Sequence, residues 1–199
     1  LRLDALSAFF MVPVFLIGGL GPIYGLGYWP ARENAGSAKK LQVFWGLLVA
    51  GMAILLAAKH ALAFLLGWEL MALASFFLIT VEDEREDCRT AGWIYFIAAH
   101  VSSLLLFGLF AYWKKATLSF DLVPLPPGLL TPRALNVVFC VALVAFGLKA
   151  GIMPLHFWLP GAHASGPSHV SAILSGVVLK MGVYGLIRFI WLLGAPPAS

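Results

Sequence analysis

Lys149-Ala150-Gly151-Ile152-Met153-Pro154-Leu155-His156-Phe157-Trp158-Leu159-Pro160 is the stretch on which the reading of this chain turns. It closes an apolar run that begins near Ala134, and it places an ammonium, a glycine and a proline inside what is otherwise helix-forming sequence. Pro154 has no N–H and its ring clashes with the carbonyl four residues back, at Ala150, so a helix from Ala134 to Leu159 should kink or break there. In a bilayer the carbonyls released by such a break must find water or polar side chains. A buried lysine beside a broken helix is therefore a natural point of entry for water. The alternative is a proline kink that serves packing alone.

The surrounding composition makes the bilayer the setting. Hydrophobic residues make up 61% of the 199 and charged residues 11%, with a mean hydropathy of +0.93. Soluble domains average roughly 45–50% apolar and about 25% charged. Besides Ala134–Leu159, five other runs are long enough to span, a span needing about 17–25 residues. They are Asp4–Trp29, Leu41–Ala58, Ala61–Val81, Ala91–Trp113 and His169–Leu193. The expected fold is all-α: a polytopic transmembrane bundle of about six helices, one of them broken near Pro154. Lys59-His60 leaves room only for a tight hairpin, Glu82–Asp87 reads as a solvated acidic turn, and Lys114–Arg133 is the longest connection. An even number of spans puts sites near residues 2 and 197 on the same side.

Lys and Arg do not set the orientation. Arg2, Lys59, Lys114, Lys115, Arg133 and Arg188 fall at one set of alternating ends, against Arg32, Lys39, Lys40, Arg85 and Arg89 at the other. The net charge of +4 forms no basic stripe, so nucleic acid is not an expected partner. Cys88 and Cys140 form no C-x-x-C, which argues against thiolate-held iron–sulfur or nickel centres in this chain. His163 and His169 have no carboxylate or thiol near them in sequence, so no metal site is expected. No nucleophile elbow, H-E-x-x-H or phosphate-binding glycine loop occurs either.

Chemistry is carried by ionisable residues inside the spans. Glu69, His100, Lys149 and Lys180 lie near the centres of four different runs, which puts them at about the bilayer midplane. Each formal charge there costs roughly 2.5–3.5 kcal/mol, and such groups usually mark ion or proton routes. One structural ion pair is the alternative, but a single carboxylate cannot neutralise two ammonium groups. Burial disfavours the charged form of amines and carboxylates alike and so brings groups of both kinds toward neutral titration. Lys149 and His156 are seven apart and should share a helix face, as should His169, Gly176 and Lys180. His169 and Lys180 are about 16 Å apart along an ideal axis, a gap for water to bridge. The stretch Pro160–Ser168, with His163, is expected to be a loop lining an aqueous vestibule.

The opening stretch, continued by Gly161-Ala162-His163 and Pro167-Ser168-His169-Val170-Ser171-Ala172, resembles the signature of the antiporter-like membrane subunits. These occur in respiratory complex I, multisubunit Na+/H+ antiporters and membrane-bound nickel–iron hydrogenases. Trp68-Glu69-Leu70-Met71 and Leu179-Lys180-Met181-Gly182-Val183-Tyr184-Gly185-Leu186-Ile187-Arg188 fit as well, and the P-S-H-V-S-A version is most similar to the hydrogenase-4 and formate hydrogenlyase type. The resemblance implies a proton-relay series in which Glu69 matches the family's glutamate on helix 5, Lys149 the lysine on the broken helix 7, and Lys180 the lysine on helix 8. His100, His156, His163 and His169 are the further relay candidates.

By this match residues 1–199 form a single transmembrane piece of a larger inverted-repeat fold, about family helices 3 to 8. The second repeat, with its ionisable residue on helix 12, is expected elsewhere. The acidic turn would face the cytoplasm, the site of action would be the inner (plasma) membrane, and the partners would be other membrane subunits and a soluble redox module. No cofactor is expected in this chain, which would be a non-catalytic ion-translocating subunit of an oxidoreductase complex. The expected mechanism pairs Glu69 with Lys149, so that breaking the pair drives the proton toward Lys180. The alternatives are a Na+/H+ antiporter subunit and a non-transporting membrane anchor for a soluble enzyme.

Overall fold

The computed structural model describes residues 3–30, 32 and 35–194. The sites near residues 2 and 197, on which the same-side expectation rests, lie outside the described residues. Among the described residues, six helices long and apolar enough to cross a membrane succeed one another in a bundle. They are α1 (Ala5–Tyr28), α2 (Ala35–Ala57), α3 (Ala61–Ile79), α4 (Glu86–Thr117), α5 (Pro132–Ala150) and the composite Ser168–Leu193. The composite comprises α7 (Ser168–Ile173), a π-helical turn (Leu174–Val178) and α8 (Leu179–Leu193), and the short α6 (Leu159–Ser165) precedes it.

The hairpin predicted at Lys59-His60 forms, and its tightness comes from glycine. A Cβ on Gly67 would stand 2.7 Å from the Leu55 backbone nitrogen, and one on Gly51 2.8 Å from that of Met71, so α2 and α3 touch backbone to backbone. Large side chains fill the centre: Trp68, Met71, Leu78, Phe146, Tyr184 and Phe189 are buried from three different helices. The 118–131 connection lacks regular structure but is tied down. Ala61 N–H donates to Phe120 O, Leu122 N–H to Lys59 O, and Leu125 N–H to Leu192 O, each at 2.8 Å. At the opposite end Arg85 bridges Glu82 and Asp87, and Lys40 pairs with Asp83.

The break after α5 is real, but its cause differs from the expected one. The helix stops at Ala150 because Gly151 takes the left-handed conformation, φ 69°, and returns its N–H to Gly147 O. That is the usual glycine helix stop, with the proline beyond it rather than kinking the helix. Pro154 therefore sits outside α5, and the run does not continue as helix to Leu159. Two other expectations about local shape fail with it. His156 shares no helix face with Lys149, since no helix connects them. Most of Pro160–Ser168 belongs to α6, and Ser168 opens α7, so the stretch is not an extended loop.

Candidate functional site

The C-terminal end of α5 delivers Lys149 into the bundle. Its side chain is 2% exposed, and its Nζ donates to the Tyr95 hydroxyl at 2.7 Å. The ammonium is 5.0 Å from the Tyr95 ring centroid. With the hydroxyl so close, that distance puts the charge off the edge of the ring, and the hydrogen bond is the contact that counts. The Trp68 ring lies on another side at 6.0 Å, the outer limit for attraction by a ring face. A hydrogen bond to a charged group is worth about 1.5–3 kcal/mol, and a cation at a helix C-terminus about 0.3–1 kcal/mol. Against an insertion cost of roughly 2.5–3.5 kcal/mol these nearly balance. The charge is tolerated here with no carboxylate at all.

The expected Glu69–Lys149 pair is absent. Among the described residues no ion pair involves Lys149, and the charged neighbour of Glu69 is His100, with Oε2 to Nε2 at 3.9 Å. The reason is helical geometry. Trp68 and Glu69 are successive on α3 and so point about 100° apart. Trp68 faces Lys149, and Glu69 faces α4 one turn beyond Tyr95. Glu69 Oε1 is buried without a hydrogen bond, while His100 donates its Nδ1–H to Phe96 O at 2.9 Å. The carboxylate is thus under-satisfied beside an imidazole.

Beyond the helix stop, the chain closes over Lys149 with an indole. Trp158 Nε1 donates to Leu148 O at 2.8 Å, and the Trp158 ring meets Tyr95 edge-on at 5.1 Å between centroids. Ser102 Oγ donates to Ala145 O at 2.7 Å. The Leu148 carbonyl, freed by the helix stop, is therefore taken by a side chain. His156 Nδ1 is buried without a partner in the break itself.

Lys180 is exposed on the outer surface of the bundle and donates to Ser175 O at 3.2 Å. The π-helical turn explains why it parts from His169. The bond from Leu179 N–H to Leu174 O spans five residues, which inserts about one extra residue into the turn and rotates the remainder of the helix by about 100°. His169 consequently turns inward, 4% exposed, among the rings of Tyr24, Tyr28 and Trp45, with both ring nitrogens unbonded. His163 pairs Nδ1 with Ser171 Oγ at 2.6 Å, and burial pushes its imidazole below the ordinary histidine range. A cavity of about 570 Å³ opens beside it, lined by Glu82, Arg85, Ser168 and Ser171 among others. The cavity is framed by the end of α6 and the start of α7.

A second charged cluster lies at the other end of the bundle, and sequence reading assigned its members only as helix-end charges. Arg188 is 8% exposed. It grips Asp4 through both guanidinium nitrogens and donates to Ser7 Oγ and the Tyr184 hydroxyl, each at 2.9 Å. Lys59 adds a bond to Asp4 at 2.7 Å. The Arg188 guanidinium holds the Asp4 carboxyl well below the usual carboxylate range. Lys59 and the Ser7 N–H add to that, against partial burial, which pulls the other way.

Residues 58–198 match the family described as "NADH:quinone oxidoreductase/Mrp antiporter, TM". The chain belongs to this family of membrane subunits. Hydrogenase-4 component B of Escherichia coli (strain K12) is 36% identical over 188 residues, 94% of this chain and 28% of that protein. F(420)H(2) dehydrogenase subunit N of Methanosarcina mazei is 33% identical over 191 residues, 94% of this chain and 38% of that protein. The chain thus spans about a third of the length of these relatives. Among solved structures, an archaeal membrane-bound sulfane sulfur reductase superposes with a TM-score of 0.74 at 26% identity, over 96% of this chain and 30% of that one. Respiratory complex I from Thermus thermophilus superposes at 0.76 and 23% identity, over 98% and 41%, a likeness of fold. In this antiporter-like family member, Tyr95, Trp68 and Trp158 are the site residues that sequence reading passed over. A tyrosine inside an apolar span, whose hydroxyl needs a partner, was the signal available for the first of them.

Proposed function

We propose that this chain forms part of a proton-translocating subunit, with Lys149 as the central relay group and with Glu69, His100, Lys180, His156, His163 and His169 as the other proton-handling positions. The observation that carries the reading is a fully buried lysine, in a family signature, kept without a carboxylate at a helix break. Nothing in packing calls for such a charge, and a single neutral hydroxyl is its one hydrogen-bond partner among the described residues. The vestibule beside His163 supplies the approach from one side. Glu69 acts through His100 in the arrangement seen and engages Lys149 only after a side-chain rearrangement. The outward-facing Lys180 passes the proton on to the rest of the full-length subunit.

The driving chemistry belongs to partners: other membrane subunits and a soluble redox module of a hydrogenase-4 or quinone-reductase type complex in the inner (plasma) membrane. No redox cofactor is assigned to this chain. The test is proton uptake by everted vesicles carrying the full-length protein in its complex. Lys149→Ala is expected to abolish uptake while subunit content on a native gel stays near normal, because deleting a midplane charge lowers the cost of burial. Lys149→Arg is expected to fail as well, since arginine does not release its proton. Normal uptake by the arginine variant, or loss only in proportion to lost protein, would leave Lys149 a structural residue. Uptake that demands sodium would move the reading to a Na+/H+ antiporter.

A further inference from the structure

Tyr95 is 1% exposed, and the 2.7 Å bond from Lys149 is the one hydrogen bond its side chain makes among the described residues. Its ring is fixed independently, edge-on against Trp158, and Trp158 is in turn bonded to Leu148 O, next to Lys149 in sequence. Three side chains from α4, α5 and the break thus form one unit around the ammonium, and Glu69 stands outside it, beside His100. A hydroxyl that accepts from an ammonium favours the protonated amine, and it also fixes where the amine points.

We infer that Tyr95 is the positioning residue of the relay: its hydroxyl holds the Lys149 side chain turned away from Glu69, so that proton release requires this bond to break. The inference rests on the proton-relay reading of Lys149 and adds the group that gates it. In the held state the proton stays on Nζ and Glu69 stays beside His100. When Lys149 leaves Tyr95, the amine loses its hydrogen-bond acceptor; one N–H bond then breaks, the proton passes to a water molecule, where an O–H bond forms, and the amine is left neutral. Among the titratable groups on the elements packed around Lys149 are Glu69 on α3, His100 on α4, His156 in the break, His163 on α6 and Lys180 on α8; the others on α4, such as Glu86, Asp87, Lys114 and Lys115, stand at its two ends. Glu69, the carboxylate among them, forms no ion pair with Lys149.

Tyr95→Phe in the full-length protein, within its complex, keeps the ring and removes the hydroxyl. Proton uptake by everted vesicles is measured across pH and normalised to subunit content. The alkaline limb of the profile is expected to move to lower pH by about one to two units, the equivalent of one lost hydrogen bond to a charged group. Tyr112→Phe, on the outer surface of the same helix, serves as the control and should leave the profile in place. An unmoved profile with normal rate for Tyr95→Phe overturns the inference, and so does a loss that merely tracks lost protein. Lys149→Ala separates the two levels of the argument. If it abolishes uptake while Tyr95→Phe changes nothing, the relay stands and the gating role falls. If Lys149→Ala pumps normally, both fall.

Discussion

Two buried cations in this bundle are held in opposite ways. Arg188, where α1, α8 and the α2–α3 hairpin meet, is gripped by a carboxylate through two parallel bonds, with a serine and a tyrosine completing its donors. Lys149, at the end of α5, has one neutral hydroxyl and a distant indole face. Arginine never gives up its proton and its planar fork matches a carboxylate, so the first arrangement is a fixed fastening. Lysine can exchange its proton, and among the described residues no carboxylate is bonded to this one. The same two ingredients, a cation and burial, give a fastening in one place and a poised group in the other. The difference is whether a carboxylate is supplied.

The comparison predicts that damage at the two sites will separate assembly from transport. Arg188→Ala leaves Asp4 and Lys59 without their central partner and should cost about 2–4 kcal/mol, toward the lower part of the range for breaking a buried pair because Asp4 is partly exposed. Subunit content and thermal stability in detergent should fall, and uptake per assembled subunit should not. Arg188→Lys, which keeps the charge but not the fork, should lie between. If Arg188→Ala instead assembles fully and loses uptake, the contrast between fastening and relay is wrong.

A smaller effect tests whether the relay depends on close helix contact. Gly182 on α8 lies so near α5 that a Cβ would stand 2.5 Å from Ala150 N and 2.7 Å from Phe146 O. Gly182→Ala should push α8 off the end of α5, costing about 1–3 kcal/mol in stability and lowering uptake per subunit, since Lys149 is the neighbour of Ala150. Gly108→Ala on α4, where a Cβ meets open space, should do neither. Normal melting of Gly182→Ala would mean that this contact is looser than it stands here.

The smallest effect is a pH slope. Because Asp4 is held below its ordinary value near 3.8 by Arg188, the folded state binds fewer protons there than the unfolded chain. Its contribution is fully present above that ordinary value and is lost as the pH falls through the lowered one. Asp4→Asn should flatten the decline of detergent-state stability at acid pH. An unchanged acid slope would show that other carboxylates carry it.

The range of each interaction decides how much of it was legible in the sequence. The number of spans, the tight hairpin, the acidic turn, the break after Lys149 and the burial of that lysine all came from the sequence. Each is decided within one run of residues, by apolar length, by proline and glycine, or by a charge that lipid penalises. Two of the inferences that failed had carried an ideal helix across an irregular segment. Gly151 ended α5 before Pro154 could act, so the Lys149–His156 face does not exist. The π-helical turn rotated Lys180 away from His169.

The partners of the buried charges were decided only by tertiary structure. Sequence placed Glu69, His100 and Lys149 at similar depth on three helices, but depth does not say which side chain turns toward which. One step along α3, about 100° around its axis, gives Trp68 to Lys149 and Glu69 to His100. Likewise Asp4 and Arg188 are 184 residues apart, and nothing local announces their bond. The bilayer fixes which stretches become helices, because every backbone group must be satisfied within its own span. How those helices rotate against one another depends on close contacts such as Gly51 with Met71 and Gly182 with Ala150, which exist only once the bundle has closed.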